Sequence, residues 1–144
     1  MLLNDEWIIG FFEGEGSLTW GKWNCEREKN SYVRYQPVVN IAQKERRILE
    51  DIQRHLGFGH ISSYKGYHRW NCGGFKECRK FVLFIQNRLK SETKQSQLER
   101  WLFVFPTLMN NTEGYGHSCK AEEIEPRIKE WKEKYVNGNE TIPV

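Results

Sequence analysis

Long apolar runs are missing from this 144-residue chain: there is no stretch of eighteen apolar residues, no secretory hydrophobic region and no cleavage site. A membrane-spanning helix needs about twenty such residues, so a soluble, unexported protein with no membrane partner is expected. Cysteine is sparse and poorly spaced for metal. Cys25, Cys72, Cys78 and Cys119 form no CxxC pair and have no paired histidines nearby. That argues against a zinc site or a disulfide framework and for reduced thiols in an intracellular setting, with a prokaryotic cytoplasm and an organelle (mitochondrion or chloroplast) both left open. Positive charge is missing from the opening: residues 1–19 carry four acids and no base.

The rest of the charge lies elsewhere. The net charge is +3, with ten bases against five acids in residues 20–71, seven against three in 72–100, and five against seven in 101–144. A basic middle rich in Trp, Tyr, Asn, Gln and His behind an acidic opening fits a polyanionic partner with carboxylates held for chemistry. On charge alone, a solvated surface is the simpler reading.

The opening, residues 7–17, organises the chain. Asn4 suits an N-cap, Leu3 and Ile8 form a hydrophobic staple, and Asp5 and Glu6 suit the positive end of the helix dipole. The helix is expected to stop in Glu13-Gly14-Glu15-Gly16-Ser17, with Gly14 or Gly16 left-handed. Apolar residues run nearly all round it, and Gly10 and Gly14, four apart, leave a bare stripe that admits a second backbone. A close helix–helix contact beside paired acids follows.

Alternation predicts a strand over 17–24, a polar connection over 25–31 and a return strand over 32–42, with Pro37 at an edge or bulge. A helix is expected from Gln43 to Leu56, ended by Gly57. A second hairpin follows, 60–64 and 67–72 about a Lys65-Gly66 turn, then a helix over 75–89. After a polar link at 90–94 come a helix from Gln95 to about Asn110, ending or kinking near Pro106, a Gly-rich loop over 111–118 and a helix over 122–135. The expected fold class is α+β, one domain over 1–144: an α-β-β-α-β-β-α core with one antiparallel sheet, helices on one face and a polar, basic face exposed, and extra C-terminal helices. A two-stranded ribbon or curved sheet fits the DNA major groove.

The nine residues Ile8-Ile9-Gly10-Phe11-Phe12-Glu13-Gly14-Glu15-Gly16 resemble the motif of the LAGLIDADG homing endonucleases, with Trp7 before and Ser17-Leu18 after it. Glu stands at both acidic positions where the family has Asp, which keeps the carboxylate and lengthens its reach. The element order fits the family too. So do Lys94 with Gln97, which fit its Lys-x-x-Gln pattern, and Gln43, the polar residue where the second strand enters the next helix. By this resemblance the antiparallel sheet is implied to form a DNA-binding saddle.

The resemblance implies that Glu15, helped by the Gly14 carbonyl, holds a divalent cation such as Mg2+ or Mn2+, which would activate water and stabilise the leaving oxygen. It implies Lys94 as a positive charge near the scissile phosphate and Gln43 as the residue orienting the water network. It implies a phosphate-contacting arginine at Arg46 or Arg47 without choosing between them; Arg47 is grouped with the catalytic residues and Arg46 with the DNA contacts. Outward strand residues Arg34, Gln36, Asn40, Ser62, Tyr64, Arg69 and Asn71 are candidates for base and phosphate contact. The motif occurs once. One carboxylate cannot serve two strands, so a homodimer meeting at Ile9, Gly10, Glu13 and Gly14, and a roughly palindromic double-stranded DNA site, are expected. The competing function is an RNA-binding maturase that helps its host intron RNA splice without cutting DNA; a DNA-binding regulator is the third.

Overall fold

The computed structural model describes residues 3–27, 30–109 and 119–135. The expected Gly-rich loop at 111–118, His117 within it, and the tail beyond 135 lie outside the described residues, as does the side chain of Cys25.

Helix α1 (Asp5–Glu15) begins as its residues dictate: the Asn4 side chain accepts the Trp7 N–H at 2.8 Å. It ends differently. Neither Gly14 nor Gly16 is left-handed; Gly16 has φ −95° and ψ 165° and leads straight into β1 (Gly16–Arg27). The glycine is required here by close approach, because a Cβ on Gly16 would lie 2.1 Å from the Phe12 ring.

β1 pairs antiparallel with β2 (Asn30–Gln43) from Gly16 opposite Ile41 to Arg27 opposite Asn30, so both strands run on into the expected connection over 25–31. β2 also pairs with β4 (Tyr67–Gly73), which pairs with β3 (His60–Tyr64). The strand order is β1-β2-β4-β3, and two-residue β5 (Cys119–Lys120) joins β2 at Arg34 and Tyr35. Pro37 is therefore central, at neither an edge nor a bulge. Its carbonyl accepts the Gly74 N–H, so its nitrogen faces the gap where β2 changes partner from β5 to β4, and no ladder bond is lost.

One sheet face is buried. Tyr35, Val39, Ile41, Trp70 and Cys72 meet Ile8, Ile9 and Phe12 of α1, Leu49 and Ile52 of α2 (Arg46–Leu56), and Phe81, Val82 and Ile85 of α3 (Phe75–Ile85). α2 starts three residues later than expected, since residues 43–45 belong to the end of β2 and the turn after it. It ends at left-handed Gly57 as expected. α3 stops four residues before Leu89, and Asn87 turns the chain with φ 64°.

α4 (Glu92–Val104) starts earlier than expected because Ser91 caps it, accepting the Lys94 N–H at 3.2 Å. It ends two residues before Pro106, which disfavours helix at Phe105. α5 (Ala121–Tyr135) is tied to β2 by Tyr35 Oη donating to Glu125 at 3.0 Å, and to α4 by Arg127 Nε donating to the Phe103 carbonyl at 2.6 Å. Among the described residues no helix is long and apolar enough to cross a membrane.

Candidate functional site

The ladder between β1 and β2 begins at Gly16 and Ile41, so the C-terminus of α1 and residues 42–43 share one end of the sheet. Of the expected catalytic residues, Glu15, Lys94 and Gln43 lie at that end. Glu15 is exposed there, with exposed Gly14 beside it. The last bond of α1 runs from the Gly16 N–H to the Phe12 carbonyl, which leaves the carbonyls of residues 13–15 beyond the helix ladder. A carboxylate and helix-end carbonyls are hard oxygen donors of the kind that take Mg2+ or Mn2+ together with water and phosphate. Among the described residues no group of three His, Cys, Asp or Glu could hold a metal by itself. The donor set therefore fits a cation shared with a substrate.

Lys94 is nearly buried, at 7% exposure. Its Nζ donates to the Gly16 carbonyl at 2.7 Å and to Gln97 Oε1 at 3.0 Å, and lies 5.4 Å from the centre of the Phe12 ring. The Lys-x-x-Gln spacing thus places donor and acceptor one turn apart on α4. Burial lowers the Lys94 pKa below the usual lysine value, and the Glu13 carboxylate works against that shift. The ammonium fixes the backbone next to Glu15 from beneath. Glu13 points elsewhere: its Oε1 accepts the backbone N–H groups of Lys90 and, at 3.2 Å, Ser91, clamping the segment between α3 and α4.

Gln43 is the last residue of β2, half-buried and opposite His68. Arg46 and Arg47 open α2 and are both exposed. Arg46 is engaged within the subunit, donating to Ser63 Oγ at 2.9 Å with Glu50 3.9 Å away. Ser63 and the His68 bonded to it lie in phase with buried Trp70, on the opposite side of the sheet from Ser62 and Arg69. Arg46 therefore starts from the helix side, apart from the outward strand residues.

Those outward residues do share one face. Ser17, Asn40, Asn71 and His60 form one cross-strand row, and Ala42, Arg69 and Ser62 the next. Gln36 packs over Gly73, where an added Cβ would lie 3.0 Å from its Nε2. Asn71 Nδ2 is spent on Ser62 Oγ at 3.2 Å and the Arg69 carbonyl at 3.1 Å, so this amide is held in place. The sequence reading missed Lys120, opposite Arg34, because a two-residue strand has no period to detect. It also passed over Ser17 and Ala42, which the register places in phase with the face.

Of the expected dimer residues, Gly10 and Gly14 are exposed and a Cβ on either would meet nothing within 4 Å. Ile9 is 5% exposed and belongs mainly to the core. Ile9, Gly10 and Glu13 also line a groove of about 580 Å³ with Arg88, Leu89 and Lys90. The far end of α1 is anchored by Asp5, which pairs with His55 Nε2 at 2.7 Å and Arg88 at 3.0 Å.

Residues 8–105 match the family model described as LAGLIDADG endonuclease. Among solved structures, the chain is 21% identical to an archaeal intron-encoded homing endonuclease complexed with DNA, with a TM-score of 0.53, covering 89% of this chain and 96% of that one. It is 20% identical to the homing endonuclease I-CvuI, solved on target DNA in the presence of Mg and not cleaved, with a TM-score of 0.57 and coverage of 88% and 93%. It is 21% identical to I-LtrWI, solved bound to its target DNA, with a TM-score of 0.67, covering 94% of this chain but 45% of that one. At these identities the likeness shows the fold. The chain spans nearly all of the first two and under half of the third. No curated protein matches it.

Proposed function

The chain belongs to the LAGLIDADG endonuclease family, and from that premise we propose that it is a site-specific double-strand DNA endonuclease, acting as a homodimer with a divalent cation at a long, roughly palindromic site. The observation that carries this reading is the exposed carboxylate of Glu15, at the end of the sheet whose outer face is lined with Arg, Asn and Gln. Relatives solved on DNA, one of them (I-CvuI) in the presence of Mg and again of Ca, support a divalent cation beside DNA.

Glu15 and the Gly14 carbonyl would hold the cation, which when bound supplies Lewis-acid stabilisation and a more acidic water. This chain does the rest. Lys94 holds the Gly16 carbonyl, and so keeps the Glu15 backbone from shifting as phosphate docks. Gln43, at the same end of the sheet, would orient the attacking water. Arg47 brings positive charge to the phosphate, and Arg34, Lys120 and Arg69 on the outer face hold the backbone in register. The bare Gly10–Gly14 stripe receives the same stripe of a second subunit, which brings a second Glu15 to the other strand.

The test is cleavage of a randomised duplex library with Mg2+, wild type against Glu15→Gln. Wild type is expected to cut a small set of sites, and Glu15→Gln to bind the same sites without cutting. Metal-dependent cutting by neither protein, or by both at equal rates, would overturn the proposal.

A further inference from the structure

One patch of the outer sheet face is apolar where its surroundings are polar. Tyr64 and Tyr67 face each other as the last pair of the β3–β4 hairpin and are 73% and 53% exposed. The two residues between them, Lys65 and Gly66, both have positive φ, 46° and 81°. That is the mirror-image two-residue turn whose twist matches its strands, so the tip is stiff. Both rings are in phase with Ser62, Arg69 and Asn71. With Ala42, Ser62, Lys65 and Arg69 they border a shallow pocket of about 390 Å³. The Lys65 ammonium lies 5.3 Å from the Tyr64 ring centre and the Lys44 ammonium 5.6 Å from that of Tyr67.

We infer that this pocket is a methyl-reading subsite, in which Tyr64, Tyr67 and Ala42 receive the C5-methyl of a thymine in the major groove. The inference rests on the nuclease reading and adds the identity of a base to it. The C5-methyl is the largest apolar group on the major-groove edge of a base pair, against the bare C5–H of cytosine, so an apolar floor discriminates chiefly through that methyl. Lys44 and Lys65 at its sides suit the flanking phosphates. Each ring already carries an ammonium over one face, which disfavours sandwiching an unpaired base and leaves ring edges and the Ala42 methyl for a small apolar group.

The test uses a duplex that the wild-type protein selects from a randomised library. Each thymine is replaced singly by deoxyuridine, which removes the methyl and leaves the hydrogen-bonding groups intact. One thymine per half-site is expected to lose about fourfold in affinity on replacement, the worth of one buried methyl. A Tyr64→Ser/Tyr67→Ser double variant is expected to bind both forms alike, and a Tyr64→Phe/Tyr67→Phe variant to keep the difference. Wild type binding every uracil form equally, or a methyl effect that survives the double serine variant, overturns this inference alone. Tyrosine-dependent binding confined to single-stranded RNA identifies stacking and also overturns it. Failure to bind any duplex overturns the nuclease reading and this one with it.

Discussion

At the scale of single residues, the site depends on two that hold the Glu15 backbone in place, Gly16 and Lys94. Gly16 follows the acid, and a Cβ there would meet the fully buried Phe12 ring at 2.1 Å. Gly16→Ala is expected to destabilise the fold by about 1–3 kcal/mol, because a packed ring must move; a thermal melt measures it. Lys94→Met keeps the length of the stem and loses the ammonium on the Gly16 carbonyl. Cleavage is expected to fall by about 10²–10³-fold, with DNA affinity within a few-fold, because the residue is buried away from solvent. The same variant has a pH signature. The unfolded lysine keeps its proton to its ordinary 10.5, while burial makes the folded one release it earlier. Between the two values the unfolded chain binds more protons, so this residue makes stability rise with pH there. Chemical denaturation across that alkaline window is expected to show the rise in wild type and not in Lys94→Met. Thiol chemistry is expected to be inert at Cys72 and Cys78, which burial pushes far above the ordinary thiol range, and slow at Cys119, pushed up to about 11 by burial and then Glu123.

At the scale of elements, α1 and the two hairpins were legible in the sequence because their signals are periodic or local. Period-two alternation placed Arg34, Gln36, Asn40, Ser62, Tyr64, Arg69 and Asn71 on one face, as their register places them. The Asn4 cap was readable from residue type alone. What escaped was set by tertiary contacts. The end of α3 depends on Asn87 turning left-handed, the start of α4 on Ser91 capping Lys94, and β5 on a neighbour 84 or more residues away in sequence. The left-handed glycine expected after α1 did not form because the helix feeds a strand directly. α1 also carries a testable contradiction between propensity and function. Nothing crowds Gly10 within the subunit, and alanine is a better helix former by about 1 kcal/mol. Gly10→Ala is therefore expected to leave the subunit's fold intact while weakening association, seen as a rise in the dimer dissociation constant by sedimentation. At the other end, Asp5 is held below the ordinary carboxylate range by its bond to His55 and then by Arg88. Its contribution is present above 3.8 and is lost as pH falls through the lowered value. Asp5→Asn is expected to flatten the acid limb of the stability curve; the pair is exposed, so the effect is small.

At the scale of the whole molecule, the account comes down to number. One motif per chain supplies one Glu15, and cutting two strands needs two. The chain spans nearly all of some solved relatives and under half of others. The most direct measurement mixes wild-type subunits with Glu15→Gln subunits, isolates the mixed dimer through a tag on one of them, and follows a supercoiled plasmid bearing the selected site. The account predicts that the mixed dimer nicks the plasmid and stops, accumulating open circles, while wild type gives linear product. Linear product from the mixed dimer at the wild-type rate would show that a single Glu15 serves both strands, and would contradict the account.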